Sequence, residues 1–168
     1  VCQVVRNAKN QIENEKVLAA IRGVFALQNS AKKDSREDEL RQRLRYILSQ
    51  LGMSGERGTQ DIIDACCFVR EHGGTVSSSG IRALCMALCP DAPKSTEQRM
   101  RRAIERSLRH IASLGLEDYT NEVFVRYATH LFPFEEVRRE MAAIQGRGRG
   151  GHVSVKTFLD GLMVLLDD

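Results

Sequence analysis

Five arginines lie between positions 99 and 109 in the segment STEQRMRRAIERSLRHIASLG, residues 95–115. At about 100° per residue, a helix here places an apolar stripe on one side and a row of arginines almost opposite. The stripe contains Met100, Ile104, Ser107, Leu108 and Ile111, and the row contains Arg99, Arg102, Arg106 and Arg109. A planar guanidinium pairs well with phosphates and with the guanine edge. The pattern therefore predicts a helix that can bind nucleic acid, although a solvated amphipathic helix shows the same periodicity.

A short apolar segment, SSSGIRALCMALCP, and a tight connection, CPDAPKST, precede this helix. A helix, a turn and a basic second helix form the helix-turn-helix layout, in which the second helix enters the major groove. Ser95, Thr96 and the first backbone amides could hold a phosphate there. The predicted contacts to bases and phosphates are Arg99, Arg101, Arg102 and Arg106, with Arg109, Gln98 and Ser95 as secondary contacts.

The composition favours an all-α protein. The 168 residues contain 42% hydrophobic residues, 5% aromatic residues, no Trp and three Pro. The net charge is only +3, so any nucleic-acid binding must depend on where the charge lies. Five cysteines without a secretory leader indicate a reducing, cytoplasmic location. No window approaches the ~18 apolar residues of a membrane span, so no membrane partner is expected.

The helical pattern suggests two domains. A first helix is expected over residues 8–28, and the charged segment NSAKKDSREDE then predicts a linker or a helix start. We therefore divide the chain into a helical arm with its linker, residues 1–36, and a helical domain, residues 37–168. The arm could form a coiled dimer or pack on its own domain. Thr59 is expected to cap a second helix, and Gly52, Gly73 and Gly115 are expected to end helices.

Several segments of residues 40–168 resemble the DNA-binding effector domain of the sporulation initiation response regulator, a transcription factor of endospore-forming bacteria. They are ILSQLGMSGERGTQDIIDA, LCPD, RMRRAIERSLRHI and VSVKTFLDGLMVLLD, in the order of that family. The resemblance implies a six-helix domain with a helix-turn-helix that binds a promoter box. The family's base-reading positions fall on Arg99, Arg101, Arg102, Glu105 and Arg106. The family's partners would be double-stranded DNA, a second copy in a homodimer, and RNA polymerase.

This chain departs from that family at positions that affect function. Arg101 stands where the family has an acidic base reader, and Glu105 stands where it has a basic one, so the same target box is not expected. Pro93 falls where the first motif helix of the family continues, and Pro is costly inside a helix. The motif is therefore either compacted or missing its first half. The segment 117–151 is longer than in the family, and we identify no receiver domain.

Other residue clusters give no support for an enzyme or a cofactor site. Cys85 and Cys89 have the spacing of a zinc pair, but no histidine follows at a suitable distance, so buried core thiols are expected. Each of the four histidines is expected at a helix end or in a loop. No nucleophile elbow, P-loop or HExxH motif occurs. The segment GRGRGGH, residues 146–152, could lie against phosphates or in a minor groove, but a mobile connection is the preferred interpretation.

The sequence thus predicts a non-enzymatic, DNA-binding transcription regulator. The alternative is a protein-interaction module on the same scaffold, in which the basic helix or the segment 117–145 binds an acidic partner.

Overall fold

The computed structural model describes residues 2–73, 76 and 80–167, with side chains from residue 13 onward. Every regular element in these residues is an α-helix, which confirms the all-α prediction. The helices are α1 (Cys2–Gln50), α2 (Arg57–Glu71), α3 (Ile81–Leu88), α4 (Pro93–Glu117), α5 (Glu122–Leu131), α6 (Phe134–Ile144) and α7 (Val155–Asp167). The chain divides into two compact units, residues 1–39 and 40–168. None of the described helices is long and apolar enough to cross a membrane.

The first helix runs without a break through the segment predicted as a linker or a helix start. Residues 29–39 are helical throughout. They contain neither Gly nor Pro, and Lys33 and Glu37 stand four residues apart, where opposite charges support a helix. Charge alone therefore did not indicate a linker. Gly52 ends the helix as predicted, at φ 73°, and the amide of Met53 donates to the carbonyl of Leu48 at 3.0 Å.

Apolar side chains on the N-terminal unit are exposed. Each of them has at least 45% of its surface accessible, and they are Val17, Leu18, Ile21, Val24, Phe25 and Leu27. Their spacing follows one side of the helix, as the sequence predicts. The periodicity of this segment therefore marks an apolar stripe whose side chains are accessible to solvent.

Helix α4 is the centre of the second unit and packs against α2, α3, α5, α6 and α7. Its buried face includes Met100, Ile104, Ser107, Leu108 and Ile111, as the periodicity predicts. The core continues through Leu44 and Leu48 of α1, Leu51 just after that helix, Ile62 and Ile63 of α2, and Phe158, Leu159 and Leu162 of α7. Because helices cover α4 on several sides, only a narrow part of its surface reaches solvent.

Two glycines allow helices to approach closely. A side chain at Gly58 would place its Cβ 2.2 Å from the carbonyl oxygen of Arg99, so α2 lies directly on the α4 backbone at this point. A Cβ at Gly115 would lie 2.3 Å from the Phe124 ring. The prediction that Gly115 ends α4 is wrong, because the helix continues to Glu117 and Gly115 packs against α5.

Two local predictions in this unit also require correction. Glu56, and not Thr59, occupies the N-cap position of α2, and the Thr59 hydroxyl donates to the carbonyl of Met53 at 2.6 Å. His110 lies within α4 and its ring packs against Gly52, so it is not at a helix end.

The cysteines have the core positions that the sequence predicts. Cys66, Cys67 and Cys85 are buried, Cys89 is half-buried, and all four are free thiols. Burial raises the pKa of Cys66 to about 12 and that of Cys85 to about 11. Cys66 and Cys85 therefore stay protonated at neutral pH and serve as small apolar residues.

Candidate nucleic-acid interface

The element order around the basic helix is a helix, a short connection and a second helix. Helix α3 ends at Leu88, residues 89–92 form a turn, and α4 begins at Pro93. Pro93 occupies the first turn of α4, where its missing amide hydrogen costs nothing and its fixed φ favours the helix. The expectation that Pro93 disrupts the first motif helix is therefore wrong. Residues 77–79, the three serines at the start of the segment SSSGIRALCMALCP, lie outside the described residues.

Arg99 is held by a neighbouring helix instead of standing free. Its Nε donates to Asp61 Oδ2 at 2.7 Å and its Nη2 donates to Asp61 Oδ1 at 3.0 Å. Nη2 also donates to the Thr96 hydroxyl at 3.1 Å. The hydrogen bonds to Asp61 raise the pKa of Arg99 above its ordinary value. This two-pronged pair joins α4 to α2 and corrects the expectation that Arg99 is available as a base reader.

Thr96 is buried as well, with 1% of its surface exposed. Its hydroxyl donates to the carbonyl of Ala92 at 3.2 Å and accepts from Arg99. The hydroxyl is engaged within the fold, so Thr96 does not lie on the surface where a phosphate contact was expected.

Two further arginines have carboxylate partners. Arg101 donates to Glu97 at 2.8 Å and to the carbonyl of Val153 at 3.4 Å, and it is only half-exposed. Arg106 pairs with Glu56, the N-cap residue of α2, although its side chain remains mostly exposed. Carboxylates within the fold therefore neutralise these two arginines.

The surface of α4 that stays open forms a single stripe at spacings of three and four residues. Its members are Ser95, Gln98, Arg102, Glu105, Arg106 and Arg109, all exposed, and we call them the exposed stripe. Within the part of the chain that the structure describes, Arg102 and Arg109 have no ion-pair partner. Six of the nine predicted contact residues thus share one accessible line, while Thr96, Arg99 and Arg101 lie beside it in structural roles.

A groove of about 360 Å³ opens along the exposed stripe. It is lined by Arg102, Glu105, Arg106, Leu108, Arg109, Glu140 and Gly151. Gly151 belongs to residues 146–152, which we call the Gly-Arg loop. Sequence reasoning did not place this loop beside α4, because the two segments are about forty residues apart in the chain. The two arginines among its glycines were a usable signal, although they do not indicate a location.

The fold and the site together define an all-helical module whose central helix follows a short helix and a turn and presents an arginine-containing stripe. The chain belongs to the YcbB domain family, whose sequence model matches residues 43–162. It is also similar to the transcriptional regulatory protein GlnL of Bacillus subtilis (strain 168), with 29% identity over 170 residues. That match covers 88% of this chain and 54% of the relative, so the chain spans about half the length of the relative. No solved structure matches the chain.

These comparisons indicate that the chain is related to a transcriptional regulator. This agrees with the class of protein that the sequence predicts. The narrower expectation, membership of the sporulation family, stays a prediction.

Proposed function

We propose that this chain is the non-enzymatic, sequence-specific DNA-binding part of a cytoplasmic transcription regulator. The observation that carries the proposal is the exposed stripe on α4, which follows a short helix and a four-residue turn. Two of its arginines, Arg102 and Arg109, have no carboxylate partner in the described residues. In this mechanism phosphate contacts capture the duplex, and side chains of the stripe then meet base edges in the major groove. The named function of the similar GlnL protein supports the same class.

The residue roles follow from accessibility. Arg102 is the best candidate for a base contact, since it lies nearer the start of α4, which in helix-turn-helix proteins meets the bases. Ser95 and Gln98 precede it on the same stripe and supply neutral hydrogen-bonding groups. Arg109 lies two turns further on and is better placed for phosphate. The carboxylate of Glu105 repels phosphate but can accept a hydrogen bond from the amino group of cytosine. Glu105 would therefore help to select the DNA sequence.

The first experiment measures binding to a random pool of 20-base-pair duplexes by fluorescence anisotropy over a series of salt concentrations. Wild-type protein is expected to bind at low salt, with a steep inverse dependence on salt. Arg102→Ala with Arg109→Ala removes one base contact and one phosphate contact, so it should weaken binding and lower the log–log salt slope by about 1. The matched control, Lys32→Ala with Arg36→Ala, removes the same charge from the N-terminal unit and should leave the slope close to that of wild type.

Absence of any duplex binding by the wild-type protein at low salt would overturn the proposal. One observation favours the alternative, a protein-interaction module, in that case. Carboxylates already neutralise Arg99, Arg101 and Arg106, which leaves less free positive charge than a nucleic-acid surface usually carries. An acidic peptide that binds wild-type protein and not the Arg102, Arg109 variant would then identify the module.

A homodimer is the second part of the proposal. The exposed apolar side chains between Val17 and Leu27 offer a stripe that two copies of the helix can bury against each other. Two copies would also present two exposed stripes to paired half-sites and raise the affinity of a small module.

Sedimentation equilibrium should show a dimer. The Ile21→Ala, Phe25→Ala variant should raise its dissociation constant at least tenfold. If the wild-type protein is still a monomer at 100 times the concentration used for DNA binding, the homodimer is contradicted and the proposed DNA binding is not. Contact with RNA polymerase stays a prediction.

A further inference from the structure

The Gly-Arg loop is fixed in place at the end nearer α7. The amide of Gly151 donates to Glu140 Oε2 at 2.9 Å, and the amide of His152 donates to Glu136 Oε2 at 2.7 Å. A Cβ at Gly151 would lie 2.2 Å from the carbonyl oxygen of Glu136, so the loop backbone lies directly on α6. The preferred interpretation of this segment as a mobile connection is therefore wrong for this end of the loop.

The other end of the loop is fixed by hydrogen bonds at the C-terminus of α6. Gly146 adopts φ 77° and its amide donates to the carbonyl of Ala143 at 2.9 Å. The amide of Arg147 donates to the carbonyl of Ala142 at 2.7 Å, which closes the helix terminus. Both ends of the loop are thus held by α6, and the residues between them, 147–149, are exposed.

The loop lies next to the exposed stripe. Gly151 lines the same groove as Arg102, Arg106 and Arg109, and Leu108 of α4 lies within contact distance of it. Just beyond the loop, the carbonyl of Val153 accepts from Arg101. Gly151, near the end of the loop, therefore lines the groove together with Glu140 and the arginine side of α4.

The exposed arginines of the loop favour an anionic partner. Arg149 is exposed and has no partner among the described residues, and Arg147 is exposed with only the neutral amide of Gln145 as a partner. The two carboxylates nearest the loop are engaged, since Glu136 and Glu140 accept from its backbone amides. The backbone hydrogen bond from His152 lowers the pKa of Glu136, so this carboxylate stays ionised and keeps the loop in place.

We infer that the Gly-Arg loop is a second DNA contact, in which Arg147 and Arg149 bind the phosphate backbone beside the groove that α4 enters. The inference rests on the proposed function. It adds a surface that raises the affinity of the protein for DNA without contacting the bases. A phosphate chain fits better than an acidic peptide here, because small glycines let the loop backbone approach closely and the contact needs only charge. The loop would thus fix the register of α4 on the duplex.

The test compares wild-type protein with an Arg147→Ala, Arg149→Ala variant on the same random-pool duplexes. Both side chains are exposed, so the variant should unfold at the same temperature as wild type. Binding at about 0.15 M salt should weaken about tenfold for every duplex, and the salt slope should fall by about 2. The sequences enriched from the pool should stay the same. The control is again Lys32→Ala with Arg36→Ala, for which affinity and slope should match wild type.

The possible results separate the two proposals. If the loop variant binds like wild type while the Arg102, Arg109 variant loses binding, the loop is not a contact and the proposed function stands. If the loop variant changes which sequences are enriched, the loop reads bases and the inference is wrong in its mechanism. If wild-type protein binds an acidic peptide through the loop and binds no duplex, the inference and the proposed function both fail.

Discussion

Residues 13–39 of α1 and the whole of α4 have opposite surroundings. Both contain apolar residues at helical spacing between charged residues, and both continue for 25 residues or more. In α4 the apolar side is covered completely, so that Ile104 is 0% exposed, whereas Ile21 on α1 is 45% exposed. The comparison shows that periodicity identifies the side that needs a partner, but does not identify the partner.

The arginines of α4 show the same contrast between covered and exposed side chains within one helix. Arg99 and Arg102 are three residues apart, and the sequence predicts the same role for both. Asp61 of α2 binds Arg99 with two hydrogen bonds, while Arg102 remains on the exposed stripe. The difference arises because α2 lies against one flank of α4, at Gly58, and so brings its carboxylate to that flank only.

Replacement of isoleucine in the two helices should give the largest contrast. Ile104→Ala removes a fully buried side chain at the centre of the core and should lower the free energy of unfolding by about 3 kcal/mol. Ile21→Ala removes an exposed side chain and should change the stability of residues 40–168 by less than about 0.5 kcal/mol. Urea unfolding followed by circular dichroism measures both. Equal effects would show that the apolar side of α1 is covered as fully as that of α4.

Replacement of glycine should give effects of opposite sign. Gly58→Ala forces its Cβ into the backbone of Arg99 and should lower the free energy of unfolding by about 2 kcal/mol. Gly23→Ala in α1 meets no atom within 4 Å and should stabilise its helix by about 0.5–1 kcal/mol. Thermal unfolding of the two variants is the measurement. A neutral Gly58→Ala variant would mean that α2 and α4 are further apart than described.

The pair between Asp61 and Arg99 should matter more than the pair between Asp64 and Arg41. Asp61→Asn removes a two-pronged, largely buried partner and should cost about 1 kcal/mol. Asp64→Asn, one turn further along α2, removes a more exposed partner at 2.9 Å and should cost less than about 0.5 kcal/mol. The Asp61 variant also releases Arg99, so its salt slope for duplex binding should rise by up to about 1. An unchanged slope would show that Arg99 stays out of reach of DNA after release.

The pH dependence of the Gly-Arg loop should be the smallest effect. The amide of His152 lowers the pKa of Glu136 below its ordinary value. A lowered carboxyl pKa adds stability above the ordinary titration range, about pH 4–5, and this stability is lost as the pH falls through the lowered value. Glu136→Gln should therefore flatten the acid side of the stability profile. Carboxyl-carbon NMR of wild-type protein measures the pKa directly, and an ordinary value would contradict the anchoring of the loop.

Much of the fold could be predicted from the sequence because helix formation is local. The buried stripe of α4, the stop at Gly52 and the core position of Cys66 all followed from spacing and residue type. Local sequence signals gave a wrong prediction where one residue type can serve two structural roles. Gly115 suggested a helix end, but its lack of a side chain serves the contact with Phe124.

The candidate site was predicted in part for the same reason. Helical spacing placed Arg102, Arg106 and Arg109 on one side of α4, and the structure keeps them there. The partners of the other arginines could not be predicted, since Asp61 and Glu56 are 38 and 50 residues from the arginines that they bind. The position of the Gly-Arg loop beside α4 is also a long-range contact, and no local pattern encodes it.

The sequence by itself determined that the described chain is helical and which side of α4 is apolar, because propensity and periodicity act over a few residues. Only the tertiary structure decided which of the five arginines remain free. That outcome depends on which helix lies beside each flank of α4, and the packing of the whole core fixes that arrangement.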